Sequence, residues 1–157
     1  MATYKLELKL NGEKLSAQVL AHENLLSVMR NKLGAKEVKN GCNKGDCGAC
    51  AVLLDGKAVN ACLTLALQAN GKEVTTVKGI GTEDQPHPLQ ESFVRHGAIQ
   101  CGFCTPGMIV SSKALLDTIP NPDRRQIREG ISGNLCRCTG YNKIVEAIED
   151  AALKRKS

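Results

Sequence analysis

Eight cysteines are the residues of this 157-residue chain whose spacing most directly indicates chemistry. They fall into two sets of four, separated by 38 residues that contain no cysteine. The first set is Cys42, Cys47, Cys50 and Cys62, and the second is Cys101, Cys104, Cys136 and Cys138. Four thiolates in one site can hold a zinc ion or an iron–sulfur cluster. The sequence therefore predicts two metal sites.

The first set has the leading spacing of a plant-type [2Fe–2S] loop, C-x4-C-x2-C. Three thiolates then wrap one side of a flat two-iron core, and Cys62 approaches from the far side after a predicted hairpin. The loop must bend tightly to direct backbone N–H groups at the sulfurs, and its glycines at 41, 45 and 48 permit that bend. Structural zinc sites favour paired C-x2-C motifs instead. The spacing favours iron–sulfur chemistry.

The second set combines a C-x2-C motif at Cys101 and Cys104 with a C-x-C motif at Cys136 and Cys138. Both motifs fall in loops that flank predicted helices, so they could enclose a second four-sulfur site. Taken alone, this spacing suits zinc as well as iron. Its presence beside the first set favours redox iron.

The elements that must position these cysteines change character near residue 79. Before it, alternating apolar residues and turn signals predict strands over 3–10, 14–20, 51–54, 57–59 and 73–77, with a helix over 25–33 that ends at Gly34. The turns are Asn11-Gly12 and Asp55-Gly56. In the first strand, Tyr4, Leu6, Leu8 and Leu10 share one face. This half is predicted to be rich in β-structure.

After residue 79 the predicted elements are helices. Residues 78–88 are polar and contain Gly and Pro, which predicts a linker. Helices are expected over 88–96, from an N-cap at Thr105 to about 118, from a capping box at Asp123 and Gln126 to near Gly133, and from Asn142 onward. The predicted class is α+β, with domains over 1–78 and 88–157 joined by a linker over 79–87.

Composition and charge exclude several classes of protein. The formal charge of +5 counts every thiol as neutral, and two four-thiolate clusters of about −2 each would lower it to about +1. Lys and Arg are scattered, apart from a basic tail at 154–156, and aromatic residues are few, so a nucleic-acid interface is not expected. There is no membrane-spanning apolar stretch and no signal-peptide pattern, which predicts a cytoplasmic protein. A disulfide framework is disfavoured there.

Three segments resemble the iron–sulfur subunit of molybdenum hydroxylases, the xanthine dehydrogenase and aldehyde oxidoreductase family. They are Asn40–Cys50 (NGCNKGDCGAC), Gln100–Met108 (QCGFCTPGM) and Gly133–Tyr141 (GNLCRCTGY). Three long motifs in the right order make the resemblance specific, and it covers nearly the whole chain. One departure is Asp46, which stands where the family usually has Glu; it is not a ligand. The chain resembles the separate small subunit of the bacterial and archaeal enzymes of this family, which includes carbon monoxide dehydrogenase, and not the fused form.

The resemblance implies a β-grasp, plant-type ferredoxin-like domain followed by a four-helix-bundle domain, each with one [2Fe–2S] cluster. It also implies a large partner subunit with a molybdopterin cofactor and a medium partner subunit with FAD, in a hetero-oligomer such as a dimer of heterotrimers. The cluster on Cys101, Cys104, Cys136 and Cys138 would lie nearer the molybdopterin, and the one on Cys42, Cys47, Cys50 and Cys62 nearer FAD. Gln100 and Cys138 match positions that contact the pterin.

The expected activity is electron transfer within an oxidoreductase complex, with no substrate turnover by this chain alone. No Ser/His/Asp set or carboxylate pair is apparent, and His22, His87 and His96 are expected to be ordinary surface or linker histidines. Two other functions remain open: a free-standing two-cluster carrier or redox sensor, and a zinc-stapled interaction module.

Overall fold

The computed structural model describes residues 2–154 and places strands in the first half of the chain and helices mainly in the second. The strands are β1 (Thr3–Leu10), β2 (Glu13–Leu20), β3 (Ala51–Leu54), β4 (Lys57–Asn60) and β5 (Glu73–Thr75). The helices are α1 (Leu25–Asn31), α2 (Val77–Ile80), α3 (Pro88–Arg95), α4 (Thr105–Thr118), α5 (Arg124–Gly130) and α6 (Asn142–Lys154). The predicted α+β class is confirmed. Met1 and residues 155–157, which include most of the basic tail, lie outside the described residues.

The five strands form one sheet in the order β2-β1-β5-β3-β4. All neighbours are antiparallel except β1 and β5, which are parallel. Leu6, Leu8 and Leu10 alternate along β1 and are buried in one core with Leu25 and Met29 of α1, which are fully buried. Tyr4, predicted to share that face, is 47% exposed because it lies near the start of the strand. This core fixes the sheet that carries the first cysteine set.

Helices α3, α4, α5 and α6 enclose a second apolar core, around the fully buried side chains of Phe93, Met108, Ile127 and Ile148. Asp150 on α6 ties this core to α3, because it accepts a 2.6 Å hydrogen bond from the Ser92 hydroxyl. That bond, with the nearby charges of Arg95 and His96, lowers the pKa of the Asp150 carboxyl. Within residues 2–154, no helix is long and apolar enough to cross a membrane.

The two halves pack directly on one another through α4 and β3. Val110 of α4 is buried with Ala51 and Leu53 of β3 in a small third cluster. The opposite face of the sheet packs on the first core, so β3 contacts apolar side chains on both faces. This contact places the helical half beside the first cysteine loop.

Several element boundaries differ from the sequence prediction by one to three residues, and one turn was not predicted. The fifth strand ends at Thr75, and the Thr76 hydroxyl accepts from Lys78 N–H to begin α2. The predicted linker therefore starts inside a helical turn, because Val77 and Ile80 pack against the second core. A 3-10 turn at Ala66–Ala69 carried no clear sequence signal. Helix α4 begins at Thr105, so the N-cap position is Cys104 and not Thr105 as predicted.

The three histidines lie in different settings. His22 is exposed, as expected. His87 is more than a linker residue, since its Nδ1 accepts from Leu89 N–H at 3.1 Å and caps α3. His96 ends α3 with its Nε2 3.4 Å from the Asp150 carboxylate.

Candidate metal centres

The β3–β4 hairpin brings two cysteines of the first set together. Ala51 at the start of β3 pairs with Asn60 at the end of β4. Just outside this pair the Ala61 N–H donates to the Cys50 carbonyl at 3.3 Å, and Cys62 follows directly after Ala61. Both cysteines are buried, with 3% and 7% of their surface exposed. The preceding loop carries Cys42 and Cys47, which are half-buried.

The four sulfurs of the first set interact as two pairs. The Cys42 thiol is in hydrogen-bond contact with the Cys47 thiol. The Cys50 thiol is likewise in contact with the Cys62 thiol. Cys50 and Cys62, the inner pair, are therefore buried against the sheet. Cys42 and Cys47, the outer pair, lie toward the surface.

Backbone N–H groups of the loop converge on the outer pair. Lys44 N lies 3.5 Å from the Cys42 sulfur, and the Cys47 N–H adds a second bond. The left-handed backbone at Asn43 and Gly45 turns these groups inward. They lower the pKa of the Cys42 thiol to about 6. Burial raises the pKa of Cys50 to about 11, so this thiol must release a proton when a metal binds.

Two loops of the helical half bring the second set together. Cys101 and Cys104 precede α4, and Cys136 and Cys138 lie in the turn before α6. The sulfurs of Cys101 and Cys138 are 3.6 Å apart, and the Cys104 thiol contacts the Cys136 thiol. Cys101 and Cys138 are exposed, whereas Cys136 is buried. This site also has an inner and an outer pair.

The inner pair of the second site is electrostatically asymmetric. Burial and the contact with Cys136 raise the pKa of the Cys104 thiol to about 12. Burial also acts on Cys136, but its hydrogen bond with the Thr139 hydroxyl and those from backbone N–H groups outweigh it and lower its pKa. The Cys136 N–H donates to the Tyr141 hydroxyl at 2.9 Å, which fixes the turn. The contact with Cys101 raises the pKa of Cys138.

The pairwise arrangement fits a two-iron core. In a [2Fe–2S] cluster each iron takes two cysteine ligands, so two facing pairs are required. A zinc ion needs four ligands around one point. The thiols brought together here are the eight that the sequence predicted as ligands.

The two sites are joined by direct hydrogen bonds. Leu135 N–H donates to the Cys47 carbonyl at 2.9 Å, and the buried Asn134 amide donates to the Gly48 carbonyl at 3.0 Å. Gly107 lies in the same junction, where an added Cβ would be 2.4 Å from the Gly48 carbonyl. A cysteine of the first set and the neighbour of a cysteine of the second are thus in backbone contact.

Gln100 lies at the surface next to Cys101. It is therefore beside the exposed Cys101–Cys138 pair, at the outer edge of the second site. Asp46, the departure from the family motif, is exposed and paired with Lys44 at 3.0 Å. Such an exposed pair contributes little to stability.

Comparison with known proteins identifies both halves. Residues 8–77 match the family described as "2Fe-2S iron-sulfur cluster binding domain", and residues 76–149 match "[2Fe-2S] binding domain". The chain is 46% identical to the nicotine 6-hydroxylase small subunit of Paenarthrobacter nicotinovorans, over 94% of this chain and 88% of that one. It belongs to the family of small iron–sulfur subunits of molybdenum hydroxylases. Two [2Fe–2S] clusters and an electron-transfer role in an oxidoreductase follow from that membership.

This iron–sulfur subunit also matches one part of a larger protein and a chain of similar length in a solved structure. The chain is 48% identical to the aldehyde oxidoreductase of Megalodesulfovibrio gigas, over 90% of this chain but only 16% of that one. Among solved structures, quinoline 2-oxidoreductase from Pseudomonas putida 86 matches with a TM-score of 0.92 and 41% identity, over 98% of this chain and 94% of that one. Partner subunits are implied.

Sequence reasoning did not identify the residues that surround the ligands of this subunit. Thr139, Tyr141 and Asn134 were quoted only as parts of a motif, and each makes a specific hydrogen bond at or between the sites. Their position within three residues of a predicted ligand was the available signal. Which of them contacts a sulfur depends on the turn, which the spacing alone does not define.

Proposed function

We propose that this chain relays electrons from a molybdopterin centre in a large partner subunit, through its two clusters, to FAD in a medium partner subunit. Cys101, Cys104, Cys136 and Cys138 would hold the cluster nearer the molybdopterin. Cys42, Cys47, Cys50 and Cys62 would hold the cluster nearer FAD. When bound, each cluster supplies a site that accepts and releases one electron.

The observation that carries the proposal is the order of thiol pairs along one line of contacts. The exposed Cys101–Cys138 pair lies beside Gln100 at the surface. The inner pair includes Cys136, whose neighbour Leu135 is hydrogen-bonded to Cys47 of the first site. A surface on the helical half is thereby connected to the first loop without leaving the chain.

The residues of the chain have three tasks in this function. The thiolates hold iron, and the backbone N–H groups of the first loop compensate the negative charge at Cys42. The first core buries Cys50 and Cys62, and the second core buries Cys136, which keeps these thiols away from water. Gln100 and Cys138 would contact the pterin of the large subunit, since both are exposed at one edge of the second site. No substrate turnover is expected from this chain alone.

The proposed organisation follows the family. The first 78 residues would form a β-grasp, plant-type ferredoxin-like domain and residues 88–157 a four-helix-bundle domain, with 79–87 between them. The family matches meet at residues 76–77, which supports a boundary there. We propose a cytoplasmic hetero-oligomer, such as a dimer of heterotrimers. The substrate would be set by the large subunit.

Replacing Gln100 with Ala tests the pterin junction. Gln100→Ala should leave both clusters assembled, because Gln100 is not an iron ligand, and should slow cluster reduction by substrate in the assembled complex. Loss of one hydrogen bond there should also cost about 1 kcal/mol of subunit association. Rapid-mixing absorbance at the cluster bands measures the rate, and reduction by dithionite should be unchanged.

Gln18→Ala is the matched control, since Gln18 is an exposed glutamine on β2. It should match the wild type in both assays. Unchanged reduction by substrate in Gln100→Ala, where that transfer limits the rate, would make Gln100 an ordinary loop residue. Elution of native material as a single chain would instead indicate a free-standing carrier.

A further inference from the structure

The Thr139 hydroxyl lies against a ligand sulfur of the second site. Its Oγ1 is 3.1 Å from the Cys136 sulfur, and Thr139 is partly buried. Geometry alone allows either atom to donate. The direction of this hydrogen bond decides whether Thr139 acts on the metal site.

Two neighbouring contacts determine the direction. Oγ1 already accepts from Tyr141 N–H at 3.2 Å, so an oxygen lone pair is occupied and the single hydroxyl proton remains available. A cysteine that binds iron is a thiolate without a proton, so it can only accept. The Thr139 hydroxyl must then donate to the Cys136 sulfur when the site is loaded.

The turn holds this arrangement in place. Gly140 and Tyr141 both have left-handed backbone, at φ 66° and 70°, and such a conformation is uncommon for tyrosine. The Tyr141 hydroxyl in turn accepts from Cys136 N–H at 2.9 Å. The turn is closed at both ends, so the hydroxyl is held beside the sulfur when an electron arrives.

We propose that Thr139 is a positioning residue that raises the reduction potential of the C-terminal cluster through its hydrogen bond to Cys136. One-electron reduction makes the sulfur ligands more negative, and a hydrogen bond to a ligand sulfur favours the more negative state. No bond is broken and no proton is transferred; the electron comes from the donor in the relay. The inference rests on the proposed assignment of Cys136 as a ligand.

The test is a redox titration of the loaded protein, followed by electron paramagnetic resonance with dithionite as reductant. Thr139→Val keeps the shape of the side chain and removes the hydroxyl. One of the two cluster signals should then be harder to reduce, on the order of tenfold in its equilibrium, which is about 59 mV for one electron. The other signal should not move.

Two variants serve as matched controls. Thr139→Ser retains the hydroxyl and should restore the wild-type potential. Thr118→Val removes a hydroxyl of the same half that donates to a backbone carbonyl, that of Ala114 at 3.0 Å, and should change neither potential. A purely structural role for Thr139 would leave the potential of every assembled cluster unchanged.

The variants separate an effect of Thr139 on the reduction potential from an effect on cluster assembly. An intact C-terminal signal with unchanged potential in Thr139→Val overturns the inference. If Thr139→Val loses the C-terminal cluster, Thr139→Ala tests the same loss of hydroxyl with a smaller side chain. If both variants lose the cluster and Thr139→Ser retains it, the hydroxyl is needed for cluster assembly, and the inference is also overturned. Cys136→Ser tests the ligand assignment separately, because a normal C-terminal signal there would remove the proposed site itself.

Discussion

The two cysteine sets achieve similar sulfur geometry by different means. In the first, three of the four cysteines lie within nine consecutive residues, and one hairpin supplies the fourth. In the second, 31 residues that include α4 and α5 separate Cys104 from Cys136. The first site is therefore defined mainly by local loop conformation, and the second by helix packing. Loss of tertiary structure should affect the second site more.

The sites also differ in how they are exposed. The outer pair of the first site is half-buried, whereas Cys101 and Cys138 of the second are exposed. Exposed thiols at an iron site are vulnerable to water and oxidants unless a partner covers them. The second site thus has the greater need of a docked subunit, which agrees with its proposed place beside the molybdopterin.

The largest expected effect comes from removing one ligand of either site. Cys62→Ser should abolish or destabilise the N-terminal cluster, and Cys136→Ser the C-terminal one, because each breaks an inner pair. Iron content should fall from about four to about two per chain, with the other cluster's low-temperature paramagnetic signal retained. Iron analysis and electron paramagnetic resonance measure both.

Loss of both signals from one substitution in a folded protein would contradict separate sites. Zinc in place of iron in the wild type would contradict the clusters altogether. Cys62→Ser could also weaken the C-terminal signal without abolishing it. The two sites would then depend on each other, and the contact through Leu135 and Asn134 would be needed for assembly of the C-terminal cluster.

A smaller effect is expected from filling the junction between the sites. In Gly107→Ala the new Cβ would lie 2.4 Å from the Gly48 carbonyl, so backbone must shift. Alanine would ordinarily stabilise a helix relative to glycine, yet overpacking should lower the free energy of unfolding by about 1–3 kcal/mol. Denaturant unfolding of the loaded protein measures it.

Gly133→Ala is the matched control, because an added Cβ there meets no atom within 4 Å. It should change the free energy of unfolding by less than about 0.5 kcal/mol. Equal stability of the two variants would mean that the loop moves away from α4 without cost.

The smallest effect concerns thiol reactivity after iron has been removed by chelation. At pH 7 a thiol with a pKa of about 6 is mostly thiolate. Compared with an ordinary thiol, its thiolate fraction is roughly 30–90-fold higher. Each of its thiolates is about 10–30-fold less nucleophilic, because nucleophilicity falls as the pKa falls. Cys42 should therefore react with iodoacetamide about threefold faster than an ordinary thiol. Cys50 and Cys104, with raised pKa values, should react last.

The pH dependence of the labelling rate should distinguish Cys42 from ordinary thiols. The Cys42 rate should be nearly constant above pH 7 and fall as the pH drops through about 6, while ordinary thiols already slow tenfold per unit below their pKa. Mass spectrometry of peptides measures the rates. Fastest labelling at Cys104 would contradict the predicted contrast between the Cys42 and Cys104 thiols.

The division of the cysteines into two groups could be predicted from sequence because spacing limits which cysteines can meet. C-x4-C-x2-C places three sulfurs within one loop, and the β3–β4 hairpin was predicted from Asp55-Gly56. The start of α4 was predicted one residue late because Cys104, at the N-cap position, makes no side-chain cap and directs its thiol at Cys136. The contacts of Thr139 and Asn134 could not be predicted from sequence. Thr139 meets Cys136 through the conformation of a turn, and Asn134 bonds to Gly48, which is 86 residues away in the sequence.

The hydrogen bond from Leu135 to Cys47 uses only main-chain atoms. The Leu135 side chain itself is 54% exposed and takes no part in it. This hydrogen bond therefore does not depend on which side chain stands at position 135, with one exception. Proline has no N–H to donate and would remove the bond outright. Nineteen amino acids can preserve this connection, so random substitution at position 135 should leave it intact far more often than substitution at the ligands on either side.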